Sequence, residues 1–335
     1  IIQPNGAWSS GLTTAVKNNY GTVKKQFTNF GARVVEMPAN AAANLASRTD
    51  VRYISLDRSL RPMGHVSLTT GADAVRSTVS GTTLDGTGIG IAILDSGIDP
   101  NHASFKGRIV YNQDFTGEGQ TGDLYGHGTH VAGMAAGNGD IAQGGYLGIA
   151  PNANLINLRV LGAQGTGSTA ALLSALDWVM SNKSAYNIKV VNMSLGMPAV
   201  DSYKDDPLCQ AVRRLVDAGV VVVAASGNEG KDSSGQKVYG MIHSPGIEPS
   251  AITVGAANTF GTDSRADDGV TTYSSRGPTR GYWTDISGVK HYDNLIKPDV
   301  VAPGNKVINA EAEGNYLVRQ NPALDAGVTN ATGRK

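Results

Sequence analysis

The chain has 335 residues with 28 basic and 28 acidic side chains, and its formal charge of zero gives no electrostatic footing for nucleic acid or an acidic membrane as partner. Forty-three glycines, 6% aromatic and 17% charged residues describe a turn-rich globular protein and exclude a disordered one. At roughly 100–200 residues per domain, the length predicts two domains or one domain with an appendage. Cys209 is the single cysteine, so no intrachain disulfide is possible, and its apolar-periodic setting, D-P-L-C-Q-A-V-R-R-L-V, reads as that of a small buried hydrophobe. No run approaches the ~18 apolar residues of a membrane span.

The first 62 residues differ from the rest. A helix from Thr13 to Tyr20 is followed by strand-like runs at Val23–Phe30 and Ala32–Met37, an alanine-rich helix at Ala39–Ser47 and a strand at Val51–Leu56. The order α-β-β-α-β predicts a small α+β, ferredoxin-like domain over residues 1–65, with its first strand upstream of Ile1. Arg58–Gly64 and the threonine-rich run after it read as linker.

From Gly86 the pattern becomes strand then helix, repeated. Strands are predicted at Ile89–Leu94, Asn154–Leu161, Val190–Leu195, Val220–Ala225 and Ala251–Gly255, with helices at His127–Ala136, Thr169–Met180 and Leu208–Ala218. Near-continuous Val/Ile/Ala strands alternating with amphipathic helices predict an α/β domain over 66–335, a parallel sheet with helices on both faces. Functional residues in such sheets gather at the carboxyl ends of the strands.

Three segments stand at those ends. G-I-G-I-A-I-L-D-S-G-I-D places Asp95 just after an apolar strand. The glycines at 86, 88 and 90 precede that strand, whereas a dinucleotide fingerprint needs them after one. G-H-G-T-H-V-A-G places His127 at the start of a helix between glycines that allow close approach. A zinc site on His127 and His130 would need the glutamate and the longer spacing of H-E-x-x-H. V-V-V-V-A-A-S-G-N-E-G puts Asn228 at the mouth of another strand, where in isolation it reads as a turn residue.

Taken together, D-S-G, G-H-G-T-H-V-A-G and A-S-G-N-E-G in this order closely resemble the subtilisin-like serine proteases, the subtilases. The resemblance implies a serine endopeptidase acting on polypeptides. His127 would be the general base, Asp95 would hold its tautomer and stabilise the imidazolium, and Asn228 would donate to the oxyanion. It also implies that the segments around Gly165, Thr166 and Gly167 and around Ser194, Leu195 and Gly196 pair with an extended substrate as added strands. Ala225, Ser226 and Gly227 would wall the primary specificity pocket. Y-S-S-R-G-P-T (273–279) and K-P-D-V-V-A-P-G (297–304) match further signatures, so the likeness runs from about residue 66 to 310. Residues 1–65 resemble the family's propeptide, an intramolecular chaperone and inhibitor, with autoprocessing expected within Pro62–Ser67. A zymogen of this kind implies a secreted or cell-envelope location. An ordinary accessory domain is the alternative.

The chain departs from the family at two points. The G-T-S-M-A-x-P segment that carries the nucleophile is absent, and the stretch after Ala302-Pro303-Gly304 runs on to Lys335 without it. Ser168, in G-T-G-S-T-A-A, falls in a substrate-flanking segment instead. Three arrangements are open: a fragment whose serine lies beyond Lys335, a second chain carrying it, or an inactive pseudoprotease that binds peptides or inhibits. The chain alone is expected to be inert. No cofactor is implied. The family's tight calcium site is expected to be missing or rebuilt, because Ser104 stands where a ligand aspartate would fall after Asp99, and the loop Gly137–Gly148 offers only Asp140 as a charged oxygen ligand.

Overall fold

A computed structural model describes residues 1–57, 66–78, 83–141 and 144–329. The chain forms two compact units, Ile1–Arg61 and Pro62–Lys335. The boundary expected at 65/66, the linker 58–64 and the stretch 62–65 of the expected processing region lie outside the described residues.

In the first unit the elements run β1 (Ile2–Pro4), α1 (Ser10–Asn18), β2 (Thr22–Phe27), β3 (Ala32–Glu36), α2 (Ala39–Ala46) and β4 (Val51–Ile54). The antiparallel sheet has the order β2-β3-β1-β4, a βαββαβ ferredoxin-like topology. The first strand, expected upstream of Ile1, is Ile2–Pro4. Three residues ending in proline show no alternation, and the strand is defined by Ile2 pairing with Arg33 on one side and Ile54 on the other. Helix α1 starts earlier than its apolar pattern because the Ser9 hydroxyl accepts the Leu12 N–H at 2.9 Å as an N-cap. Ile2, Leu12, Val16, Leu45 and Val51 form a core of the modest size expected for so short a unit.

The second unit begins with α3 (Val66–Thr70) and α4 (Ala72–Thr78), where a linker was expected. The polar composition hid that Ser67 and Thr69 are buried and satisfied. The Ser67 hydroxyl donates to Asp73 and the Thr69 hydroxyl to the carbonyl of Thr262. Then follow β5 (Gly90–Asp95), β6 (Ile109–Asp114), α5 (His127–Ala136), β7 (Asn154–Arg159), α6 (Thr169–Asn182), β8 (Ile188–Met193), β9 (Met197–Pro198), α7 (Pro207–Asp217) and β10 (Val221–Ala225). The remaining elements are β11 (His243–Ser244), β12 (Ile252–Asn258), β13 (Gly269–Val270), the hairpin β14 (Tyr282–Thr284) with β15 (Lys290–Tyr292), β16 (Val300–Pro303) and α8 (Tyr316–Gln320).

The main sheet has the order β13-β12-β10-β8-β5-β7-β6, with β16 also on β12. All its pairings are parallel except β12 with β13. Every residue of β5 is buried, and alternate side chains serve opposite faces. Ala92 and Leu94 pack with Leu172, Leu176 and Val179 of α6 and with Leu208 and Val212 of α7. Ile91 and Ile93 pack with Ala132 and Ala136 of α5. The parallel sheet covered by helices on both faces is therefore as expected from the near-continuous apolar strands. Connections leaving β5 and β8 run toward opposite edges of the sheet, so the crevice at their carboxyl ends is the place for a site.

Candidate active site

Asp95 is the last residue of β5 and is 1% exposed. His127 opens α5, and its Nδ1 lies 2.7 Å from Asp95 Oδ1. The Ser96 N–H donates to the same oxygen at 2.7 Å. The Asp95 charge is the first cause of a raised His127 pKa, the hydrogen bond and the Asp123 charge add to it, and burial works against them. The imidazole is 37% exposed, and among the described residues no hydroxyl pairs with its Nε2.

The first turn of α5 is held by a second buried carboxylate. Asp123 accepts the N–H groups of Gly126 and Thr129, each at 2.7 Å, and the Ser96 hydroxyl at 2.8 Å. The Ser96 oxygen itself accepts the Gly128 N–H at 2.9 Å. Burial raises the Asp123 pKa, and these hydrogen bonds oppose the rise. Two glycines permit the close approach. Gly97 has φ +109°, and a side chain there would meet the carbonyls of Gly122 and Thr121 at 2.6 and 2.8 Å. A side chain at Gly128 would in turn run into the Gly97 carbonyl. The glycines of D-S-G and G-H-G therefore let β5 and α5 touch at the Asp95–His127 pair.

A cleft of about 590 Å³ starts at His127. Gly165, Thr166 and Gly167 line it, as do Ser194, Leu195 and Gly196, and Ala225, Gly227 and Asn228. Ser226 is 2% exposed and is not among the cleft-lining residues; its N–H donates to the Val254 carbonyl and its carbonyl accepts the His243 N–H. Gly165 takes φ +76° against the Tyr125 ring, and Gly167 bridges back to Leu161 in antiparallel fashion. Asn228 is exposed at the mouth of β10.

The sequence reading missed several cleft residues. Pairing of β9 with β11 brings His243 beside Gly196, and its ring carbons lie 3.0 Å from where a Gly227 side chain would begin. Its Nε2 lies 3.2 Å from Glu229 Oε2. Glu229 follows Asn228 directly and could have been noted, but His243 has no motif of its own. Tyr125, two residues before His127, stacks on Tyr316. Ser168 borders the cleft, yet its hydroxyl accepts the Ala171 N–H at 3.1 Å and caps α6. His130 binds the Val307 carbonyl through Nε2 at 3.2 Å, and burial lowers its pKa.

The family's calcium site would fall near Ser104 and the 137–148 loop. The Ser104 N–H donates to His102 Nδ1, and the Asp140 carboxylate accepts from Asn138. Among the described residues no three His, Cys, Asp or Glu side chains converge. Residues 142–143 of the 137–148 loop lie outside the described residues.

A mostly parallel sheet carrying an Asp–His pair and an open cleft at its carboxyl ends defines a subtilisin-like α/β protein. The sequence profile of the subtilase family matches residues 86–333, and the chain belongs to that family. Serine protease AprX of Bacillus subtilis (strain 168) is 34% identical over 313 residues, 90% of this chain and 65% of that protein. The extracellular serine proteinase of Thermus sp. (strain Rt41A) is 33% identical over 279 residues, 79% of this chain and 61% of that protein. The chain thus spans a little under two thirds of the length of these curated relatives. Among solved structures, Sphericase superposes with a TM-score of 0.56 at 30% identity, covering 77% of this chain and 78% of its own.

Proposed function

We propose that the second unit is the catalytic domain of a serine endopeptidase that hydrolyses polypeptides by acyl transfer. The observation that carries this reading is the 2.7 Å contact of the buried Asp95 with His127 at the end of a cleft lined by Gly165–Gly167 and Ser194–Gly196, in a chain of the subtilase family. His127 Nε2 takes the proton of a serine hydroxyl as its oxygen attacks the scissile carbonyl carbon. The Asp95 carboxylate holds the tautomer and stabilises the imidazolium, and the Asn228 amide donates to the oxyanion. His127 then passes the proton to the leaving amine, and water releases the acyl group by the same route in reverse. The serine comes from a segment outside residues 1–335, on the same polypeptide or on a second one. Residues 1–65 act as an inhibitory propeptide and folding chaperone of a zymogen. The enzyme is exported, a reading supported by the extracellular relative from Thermus. The tight calcium site of the family is missing or rebuilt, a reading supported by the hydrogen bonds that engage Ser104 and Asp140.

Labelling of the active protein with a fluorophosphonate, followed by peptide mapping, tests this. The label is expected on a serine outside 1–335, and it should vanish in His127→Ala together with cleavage near residue 65. Labelling of Ser168, or casein hydrolysis undiminished in His127→Ala, overturns it.

A further inference from the structure

Arg159 ends β7, directly beside Asp95 in the parallel register, and it is 0% exposed. Its Nε donates to the Ser96 carbonyl at 3.1 Å, and its Nη1 to Thr116 Oγ1 at 3.0 Å and the Gln120 carbonyl at 3.2 Å. Its Nη2 reaches Glu118 Oε2 at 2.5 Å, while Asp114 Oδ1 lies 3.4 Å from Nη1. A buried guanidinium is tolerated only when its charge and donors are matched in this way. Glu118 is less confined, with its side chain 42% exposed. Both of its oxygens lie 3.3 Å from the Ala163 N–H, and a side chain at Gly162 would run into Oε1. The Arg159 hydrogen bond is the leading cause that keeps the Glu118 carboxyl below the usual range.

Ala163 belongs to the turn that carries the cleft edge. The Gly162 N–H donates to the Thr166 carbonyl at 2.7 Å, and Gly167 returns to pair with Leu161. At its base this turn is tied to the acid of the Asp–His pair, since the N–H groups of Val160 and Leu161 donate to the Asp95 carbonyl at 2.8 and 3.1 Å. Near its tip the carboxylate of Glu118 receives the Ala163 amide, and Arg159 joins that carboxylate to the Asp95–Ser96 turn.

We infer that Arg159 and Glu118 are a positioning pair that locks the 162–167 turn into a peptide-binding edge and so sets how tightly the cleft holds the part of a polypeptide remote from the cleaved bond. This rests on the reading of the cleft as a peptide site. Glu118→Gln removes that carboxylate's charge but keeps an oxygen to accept from Arg159, and Asp114, 3.4 Å from Nη1, remains as the counter-charge of the buried guanidinium.

Two measurements on the full protein decide it. In hydrogen exchange, the Ala163 amide should exchange about tenfold faster in Glu118→Gln, the loss expected when a charged acceptor becomes a neutral one. In turnover, KM should rise about tenfold for a peptide long enough to run along Gly165–Gly167, with a much smaller change in kcat. An acyl amino-acid amide that fills only the slot between 194–196 and 225–227 should feel far less. Unchanged Ala163 exchange overturns the proposal, and so does a KM rise equal for long and short substrates. Absence of turnover in the parent protein, with faster Ala163 exchange in the variant, would instead remove the peptidase reading and leave the positioning role standing.

Discussion

Replacement of Gly97 by alanine tests how the D-S-G glycine holds the candidate site together. Gly97 sits at φ +109°, where a side chain is strained by about 1–2 kcal/mol. The new methyl would also lie 2.6 Å from the Gly122 carbonyl oxygen and 2.8 Å from that of Thr121. Carbon and oxygen rest at about 3.3 Å, so the turn must yield by roughly 0.7 Å against backbone that has no rotamer to change. Overpacking of this kind costs about 1–3 kcal/mol, giving about 2–5 kcal/mol in total with the backbone strain. At about 2–4 °C per kcal/mol, Tm should fall by roughly 5–20 °C. The turn follows Asp95 directly, and a misplacement approaching 1 Å costs up to about 10² in rate. Peptide hydrolysis at saturating substrate, with calorimetry on the same preparation, reads both effects. Gly107→Ala is the control, because Gly107 has φ +74° with nothing within 4 Å of the added carbon. It should show the strain alone and a parental kcat. If Gly97→Ala matches Gly107→Ala in both Tm and kcat, the close approach of the turn to residues 121–122 does not matter and the reasoning fails.

Asp95→Asn should lower kcat by about 10⁴, the size known for this exchange in serine proteases of another fold. Only neutral imidazole acts as base, and the Asp95 charge raises the His127 pKa, so the residual activity should reach its plateau at lower pH than in the parent. A pH–rate profile with an unmoved acid limb would refute that origin of the shift. If Asn228 donates to the oxyanion as proposed, Asn228→Ala should lower kcat by about 10²–10³, the size known for the oxyanion-hole asparagine of subtilisin, with little change in KM, and steady-state kinetics check it. His243→Ala should widen the slot beside Gly196 and Gly227. In a panel of peptides varied at that position, the ranking should move several-fold toward larger side chains, and an unchanged ranking would count against His243 as a wall of the pocket.

How much of this was legible in the sequence followed from the range of the interactions involved. Strand β5 and helix α5 were readable because each is local. β5 is buried on both faces and so is apolar up to Asp95, and His127 lies between Gly126 and Gly128 while Gly97 follows Asp95 by two positions. The edge strand β6 was not read. Its I-V-Y-N-Q-D pattern is half polar because it pairs only with β7 in the main sheet. β1 was placed outside the chain because three residues carry no period, and α3–α4 passed for linker because the Thr69 hydroxyl is satisfied by a carbonyl 193 positions away. The Arg159–Glu118 pair spans 41 positions, so the arginine ending an apolar strand was visible but its partner was not. Ser226 was drawn into the substrate wall by its neighbours. In a strand-end segment alternate residues face opposite sides, and it faces inward between Ala225 and Gly227.

The surroundings of His127 show why the two carboxylates belong together. A helix N-terminus carries partial positive charge and unpaired N–H groups, a setting that by itself disfavours an imidazolium. In α5 those groups are already engaged. Asp123 takes the N–H groups of Gly126 and Thr129, and the Ser96 hydroxyl takes that of Gly128 while donating to Asp123. The helix end is thereby neutralised by a carboxylate beneath the turn, and Asp95 faces the imidazole with a direct hydrogen bond. The Asp95 charge outweighs burial, so the His127 pKa lies above its ordinary value. Asp123 therefore does for the helix what Asp95 does for the side chain. Without it the positive end of α5 would pull the base toward its neutral form and weaken the hold on the proton that the reaction requires.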